Sequence, residues 1–329
     1  MNWKHLLRKS IPFATTFGIV ALLLTQIDPL SIVHLIADVD PLWLMVGWAF
    51  YLATNVARAW RFGVLLDINR PLAILPEMLS LSLFNNILPS RGGELTFPYF
   101  MHTRHQISIG ESTGALILAR VFDYLAVVLL FLVFGLWQLP HLDGQATHII
   151  ALTAGILVLS VVGLVLIPWL GTWGLRVLRW LFGLWPGEER RWTVRILRGA
   201  EQMILTFQQL RQGKVWLLTL FWSLLNWLGV FAWFTSFLYA IHVPYPYPFV
   251  IIGATFASLA KAVPLLTVSG FGAHEAGWAL GFGLTGMPRH LAIATGFAVN
   301  LLTLFSSILF GGIALIVMSK VKPGGVAVS

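Results

Sequence analysis

Long apolar runs alternate with short polar breaks along this chain. Apolar stretches near residues 11–27, 41–67, 112–138, 146–170, 215–241 and 290–318 each approach or exceed the roughly 20 residues that an α-helix needs to cross a bilayer. Two further stretches, 72–105 and 248–285, are equally apolar but are interrupted by Pro and Gly. The pattern predicts an all-α polytopic membrane protein with about six full transmembrane helices and two re-entrant helical hairpins. Lys4, Arg8 and Lys9 precede the first run as they would in a signal peptide. No small-residue cleavage site follows, however, and Asp28-Pro29 ends the run, which makes it an uncleaved first span.

Composition strengthens this reading. Hydrophobic residues make up 58% of the 329 and charged residues only 10%, against about 25% charged in soluble domains; mean hydropathy is +0.83. The chain has no Cys, which excludes disulfides, thiolate zinc sites, iron–sulfur clusters and a cysteine nucleophile. The nine His show no metal-binding spacing, and His102 and His105 read as solvated residues of a cytoplasmic turn. No metal or other cofactor is expected. Without a Walker A motif an ATP-driven pump has no support, and a serine hydrolase is not expected either.

The net charge of +8 does not point to nucleic acid, because the positive residues are confined to one set of loops. Segments 1–10, 67–111, 171–214 and 320–329 carry nearly all the Lys and Arg outside the spans. By contrast, 28–40 holds Asp28, Asp38 and Asp40 and no Lys or Arg. The positive-inside rule then places both termini in the cytoplasm of a cell with an inner membrane. Trp43, Trp137, Trp169 and Trp216 fall near span ends, where amphipathic rings favour the interface. Segment 171–214, basic and apolar by turns, reads as amphipathic helix on the inner leaflet; the plain alternative is a loop that only sets topology.

The two interrupted stretches are the most informative. In the first, an apolar helix runs into Asn85-Asn86, then Pro89, Arg91, Gly92-Gly93 and Glu94. In the second, Pro264, Ser269, Gly270 and Gly272 break a helix, and His274-Glu275 open the next. Irregular backbone at membrane depth is tolerated only where protein or a water-filled cavity satisfies it. Each break should therefore be the tip of a hairpin facing the interior. The pattern span–hairpin–span occurs twice, at 41–138 and 215–318, with opposite orientation within a single membrane domain, 1–329. Such inverted repeats build central sites in many transporters. The helices after Gly93 and Gly272 would point their N-termini at an anion, with the glycines allowing close approach. Arg91 would add a bidentate fork for phosphate. Glu94 and Glu275 suit either a site or a helix cap.

Charge inside a span costs several kcal/mol unless paired or hydrated. Arg58 and Arg61 lie three apart on one face of the second span, with Asn55 three residues before; they would serve a site or snorkel to the interface. Arg120 and Asp123 are spaced for an internal ion pair, structural or ligand-binding. Lys261 is lone and mid-helix, facing a cavity and, in one arrangement, Glu275.

These residues resemble a known group. Asn85-Asn86-Ile87-Leu88-Pro89 with Arg91-Gly92-Gly93-Glu94, Arg58-Ala59-Trp60-Arg61, Arg120-Val121-Phe122-Asp123 and Gly270-Phe271-Gly272-Ala273-His274-Glu275-Ala276 resemble, in order, the motifs of the lysylphosphatidylglycerol synthase transmembrane region, or flippase-like domain, family. That family includes the membrane part of the multiple peptide resistance factor and relatives linked to hopanoid synthesis. The resemblance implies an integral membrane domain that moves or handles lipids, aminoacylated phosphatidylglycerol being the best-known cargo. Here His274 stands where an Arg is usual and Val268-Ser269 where Pro-Gly is usual; loss of a fixed positive charge should alter headgroup preference. The resistance factor also carries a soluble aminoacyl transfer domain. This chain ends soon after its last span, so by that comparison it should not synthesise lysyl lipid alone.

The expectation is thus a lipid translocase without catalytic residues. Its headgroup site would draw on Arg58, Arg61, Asn85, Asn86, Arg91, Gly92, Gly93, Glu94, Arg120, Asp123, Lys261, Gly270, Gly272, His274 and Glu275. Membrane lipids are its expected partners, with a separate lipid-synthesis enzyme or a second copy of the chain as further candidates. The rival expectation is a membrane-embedded enzyme, or an accessory subunit, of hopanoid or polyprenyl lipid synthesis.

Overall fold

The computed structural model describes residues 16–141, 144–162, 213–262 and 270–320, with the backbone alone at 89–91, 141 and 262. Almost all of segment 171–214, the beginning of span 11–27, the end of span 146–170, Val268-Ser269 and the Arg91 side chain lie outside the described residues. The described elements are helical throughout. They are α1 (Thr16–Leu24), α2 (Pro29–Ala37), α3 (Pro41–Leu65), α4 (Leu75–Ile87), α5 (Thr96–His105) and α6 (Ile109–Gln138), then α7 (Gly144–Val162), α8 (Gly213–Ala240), α9 (Tyr247–Ala262), α10 (Ala273–Leu284) and α11 (Arg289–Lys320).

Local sequence sets the helix starts. Asp28 accepts the Leu30 N–H at 3.0 Å and Asp40 accepts the Leu42 N–H at 2.7 Å, each with a proline at the first helical position, where its missing N–H costs nothing. Ser108 caps α6 through the Glu111 N–H at 3.1 Å. Two of the three acidic residues of segment 28–40 are thus helix caps. Segment 28–40, expected to be a plain loop, contains α2, which bends by 87° from α1.

Among the described residues, four helices are long and apolar enough to cross a membrane, α6, α7, α8 and α11, and α1 with α2 make a fifth if the bent pair counts as one span. This describes a multi-pass membrane protein. α3 has 25 residues but carries Thr54, Asn55, Arg58 and Arg61, which dilute its apolar character. Large apolar side chains on the outside of the bundle, such as Leu217, Phe221, Phe305 and Ile313, are exposed, as a lipid-facing surface requires.

α3 and α8 run antiparallel along their length, with contacts from Trp43–Tyr239 at one end to Trp60–Trp222 at the other. Both interrupted stretches fold as antiparallel helical pairs. In the first, Glu77 meets Arg104 and His105 at the open end, and Phe84 meets Phe100 near the tip. In the second, α9 and α10 pack so closely that a Cβ at Gly281 or Gly277 would overlap the opposing backbone.

α11 lies against both pairs. At its C-terminal end, Met318 accepts hydrogen bonds from Arg104 and Ser80, and Gly311 packs on Leu83. At its N-terminal end, Thr295 accepts from Trp278, and Asn300 reaches Glu275 farther along. The two hairpins therefore open at opposite ends of α11 and point their tips toward its middle.

Candidate functional site

A polar cavity of about 190 Å³ lies between α3, the end of α4, α6 and α8. α3 supplies Tyr51, Thr54, Asn55, Arg58 and Arg61 from one face, α4 supplies Ser82, Asn85 and Asn86, α6 supplies Arg120 and Asp123, and α8 supplies Asn226, Trp227 and Trp233. The residue spacing explains the first set: Tyr51, Asn55, Arg58 and Arg61 recur every three or four positions, so one stripe of an otherwise apolar helix is polar.

The charges are paired across helices rather than along them. Arg61 donates to Asp123 through both terminal nitrogens, at 2.5 and 3.4 Å, and to the Ser223 hydroxyl at 3.1 Å. Trp227 donates its indole N–H to the same Asp123 at 2.9 Å. Arg120 binds Glu94 at 2.5 Å and stands 3.7 Å from Asp123. The i,i+3 pair expected between Arg120 and Asp123 is therefore the weaker contact, because an oppositely charged group from another element reaches each partner more closely, Glu94 for Arg120 and Arg61 for Asp123. Arg58 differs from both. It donates to the Ser82 hydroxyl at 2.6 Å and to Asn55 Oδ1 at 3.2 Å, both neutral. Among the described side chains, the guanidiniums of Arg58, Arg61 and Arg120 thus meet the carboxylates of Asp123 and Glu94, and Arg58 is the one hydrogen-bonded to neutral groups.

Six buried polar atoms on residues that line this cavity have no hydrogen-bond partner among the described residues: Tyr51 Oη, Arg61 Nε, Asn85 Oδ1, Arg120 Nε, Asn226 Oδ1 and Trp233 Nε1. An unsatisfied buried polar group costs about 1–3 kcal/mol. A concentration of donors and acceptors around one space is what water or a polar ligand would satisfy.

Asn86 lines the same cavity and also donates to the Ser82 carbonyl. Of the two glycines expected to precede a helix N-terminus, Gly272 does and Gly93 does not. Gly93 is pressed against the last turn of α4, where a Cβ would overlap Asn85 N and Phe84 C, so it serves packing of the tip. The chain continues as a 3₁₀ turn over 89–95, and α5 begins only at Thr96, so no helix N-terminus follows Gly93 directly. Gly272 has a φ of 83°, a conformation that glycine adopts freely, and it donates its N–H to Glu275 at 2.6 Å. Glu275 therefore caps α10, as one of its two expected roles required. Its other oxygen accepts from Asn300 at 2.7 Å, and Lys261 donates to Asn300 Oδ1 at 3.2 Å, so Lys261 and Glu275 belong to one cluster at the second tip. Gly270, with a φ of 73°, lies against the Lys261 stem. His274 is buried between Phe234 and Trp278. Neither His274 nor Gly92 is among the residues lining the polar cavity.

One expectation, that His105 is solvated, needs correction. His105 is buried and bonds Glu77 at 3.0 Å; the hairpin folds its last turn back onto α4, away from solvent. Gly110-Glu111-Ser112-Thr113-Gly114 does fit the Gly-x-Ser-x-Gly string of serine hydrolases, but it lies inside α6. The Ser112 hydroxyl donates to the Ser108 and Ile109 carbonyls, whereas that chemistry needs an exposed strand-to-helix turn. Among the described residues, no group of three or more His, Asp or Glu is placed to hold a metal ion.

Tyr51, Thr54, Ser82, Asn226, Trp227 and Trp233 were not singled out from the sequence. Asn226 and Ser82 carried a usable signal, since each is a polar residue inside an apolar run.

A family model described as "Lysylphosphatidylglycerol synthase TM region" matches residues 10–311. No curated protein and no solved structure matches the chain.

Proposed function

The chain belongs to the lysylphosphatidylglycerol synthase TM region family, and we propose that it is an integral membrane lipid translocase whose polar cavity takes up an anionic headgroup. The observation that carries this reading is the cavity itself. It combines Arg58, hydrogen-bonded only to neutral partners, with six buried polar atoms on lining residues that have no partner among the described residues. A phosphodiester would neutralise Arg58, with Arg120 and Trp233 also lining the space it would occupy. Headgroup hydroxyl or ammonium donors would satisfy Asn85 and Asn226. The carboxylates at the cavity are already held, Asp123 by Arg61 and Trp227 and Glu94 by Arg120, which favours a carrier over an embedded transferase.

α4 and α5 have 13 and 10 residues, about 20 and 15 Å at 1.5 Å per residue, shorter than the roughly 30 Å hydrocarbon core. This supports a re-entrant hairpin whose tip meets the cavity at membrane depth. The distribution of Lys and Arg supports an inner-membrane location with both termini in the cytoplasm. The headgroup would cross through the protein while the acyl chains stay in lipid.

The test is reconstitution into liposomes with fluorescent phospholipids of varied headgroup, following leaflet exposure by dithionite quenching. Transfer with a headgroup preference by the wild type, lost in Arg58→Met that remains folded, is the expected result. No transfer of phospholipid, polyprenyl phosphate or hopanoid by folded wild type would overturn the translocase reading in favour of an embedded enzyme or an accessory subunit.

A further inference from the structure

Charge is unevenly distributed around the polar cavity. Among the described residues its lining carries three guanidiniums, Arg58, Arg61 and Arg120, and one carboxylate, Asp123. Both oxygens of Asp123 accept from Arg61, and one also accepts from the Trp227 indole. Glu94, which is not part of the lining, is bound to Arg120. Each described carboxylate at the cavity is therefore matched to an arginine, and Arg58 is left with neutral partners.

The rest of the polar lining is neutral: four asparagines, three side chains that carry a hydroxyl, and two indoles. Asn85 and Asn226 each have a buried amide oxygen without a partner among the described residues. An amide oxygen accepts from a hydroxyl or an ammonium alike, so it does not choose between them. The surrounding charges do. An ammonium brought into this space meets three guanidiniums and only a carboxylate that Arg61 already holds, and like charges repel more strongly between low-dielectric walls than in water. The aromatic residues offer no substitute. Holding a cation over a ring needs an open face, whereas Tyr51 is 1% exposed and packs against Trp233 at 4.8 Å and Phe310 at 5.7 Å.

We propose that the cavity selects a phosphodiester lipid whose headgroup is an uncharged polyol, and excludes aminoacylated and other ammonium-bearing headgroups. This rests on the translocase reading above and names its cargo class. One phosphate balances Arg58, and the hydroxyls of a polyol donate to the asparagine oxygens. A lysyl ester would instead add ammonium charge where nothing balances it, and an unpaired charge against the wrong ligand is a strong source of specificity. Asn226 sets the choice, because an aspartate there would supply the missing counter-charge. The matching family model is described by lysylphosphatidylglycerol synthesis; the charges of this cavity point to a different cargo for this chain.

The test compares four lipids, all labelled on the same acyl chain, in the liposome transfer assay with full-length protein. They are phosphatidylglycerol, phosphatidylethanolamine, lysyl-phosphatidylglycerol, and the lysyl lipid with both amines acetylated, which keeps the bulk and removes the charge. Wild type should transfer phosphatidylglycerol faster than either ammonium lipid by roughly tenfold or more, and acetylation should recover most of the lysyl lipid's deficit. Asn226→Asp should lower the preference for phosphatidylglycerol over the lysyl lipid by roughly tenfold. If that variant fails to fold, Asn86→Asp, at a half-buried lining residue, should shift the preference in the same direction. Lysyl lipid carried by wild type as fast as phosphatidylglycerol, an acetylated lipid rejected as firmly as the lysyl one, or an unchanged preference in folded Asn226→Asp would each overturn selection by charge. Complete suppression of phosphatidylglycerol transfer by an equal concentration of soluble glycerophosphoglycerol would overturn the lipid assignment in favour of a free phosphodiester. Folded wild type that transfers none of the four lipids would instead sink the translocase reading itself.

Discussion

At the scale of single residues, the decisive difference is between cations that have a carboxylate and one that does not. Arg61 is 2% exposed and its charge is balanced by Asp123. Removing that balance should leave a buried guanidinium uncompensated, and Asp123→Asn should cost about 3–5 kcal/mol, read as a lowered thermal unfolding midpoint in detergent. A wild-type midpoint would show that the pair is not structural. Arg58→Met should behave in the opposite way. Its partners Asn55 and Ser82 are neutral and bonded to each other at 3.0 Å, so stability should change by no more than about 1 kcal/mol while phospholipid binding to the polar cavity is lost. The arginines themselves were legible, because charge inside an apolar run is conspicuous. Their partners were not. Spacing suggests Arg120 with Asp123, three residues apart, but Asp123 is held most closely by Arg61, 62 positions earlier, and only the neighbouring of α3 and α6 brings them together.

At the scale of elements, the hairpins owe their tightness to glycine in particular rows. In α10, Gly281 faces the backbone of Gly253, whereas Gly283 has nothing within 4 Å of the place a Cβ would take. Alanine favours a helix over glycine by up to about 1 kcal/mol, so Gly283→Ala should leave stability equal or raised. Gly281→Ala gains the same propensity, but its methyl would meet a carbonyl that cannot move without parting the legs, and overpacking costs about 1–3 kcal/mol. Thermal unfolding of the two variants side by side should therefore shift in opposite directions, and equal shifts would refute close packing of α9 on α10. Elements were legible to the extent that punctuation marked them. The Pro and Gly interruptions outlined both helical pairs, and the apolar run from 41 placed the start of α3. What punctuation could not show was that residues 29–37 would be helical rather than a loop, or that His105 would fold back onto Glu77. Both depend on a neighbouring surface, not on local sequence.

At the scale of the whole molecule, the question is whether two hairpins that open at opposite ends of α11 also open on opposite sides of the membrane. The native chain has no Cys, so single-cysteine variants carry no background. Thr103 lies exposed near the open end of the first hairpin, and His290 lies exposed at the start of α11, by the open end of the second. In oriented, sealed vesicles, Thr103→Cys should react with a membrane-impermeant maleimide only from the cytoplasmic side, and His290→Cys only from the other. Labelling of both from one side would remove the inverted arrangement, and with it the reason for two opposed tips. Ile87, at the tip of the first hairpin and 47% exposed, distinguishes a re-entrant pair from one that crosses fully. A re-entrant tip leaves Ile87→Cys unreactive from the side that labels His290→Cys, while a full crossing makes it reactive there. The geometry favours the former. The tips reach α11 near Asn300 and Gly311, about 16 Å apart along the helix at 1.5 Å per residue, well under the roughly 30 Å of the hydrocarbon core. In the proposed translocase, two short polar approaches from opposite faces would leave only the stretch around Arg120 for a headgroup to traverse. A change in reactivity at either tip should therefore follow from substitution of Arg120 more than from substitution of any residue at the open ends.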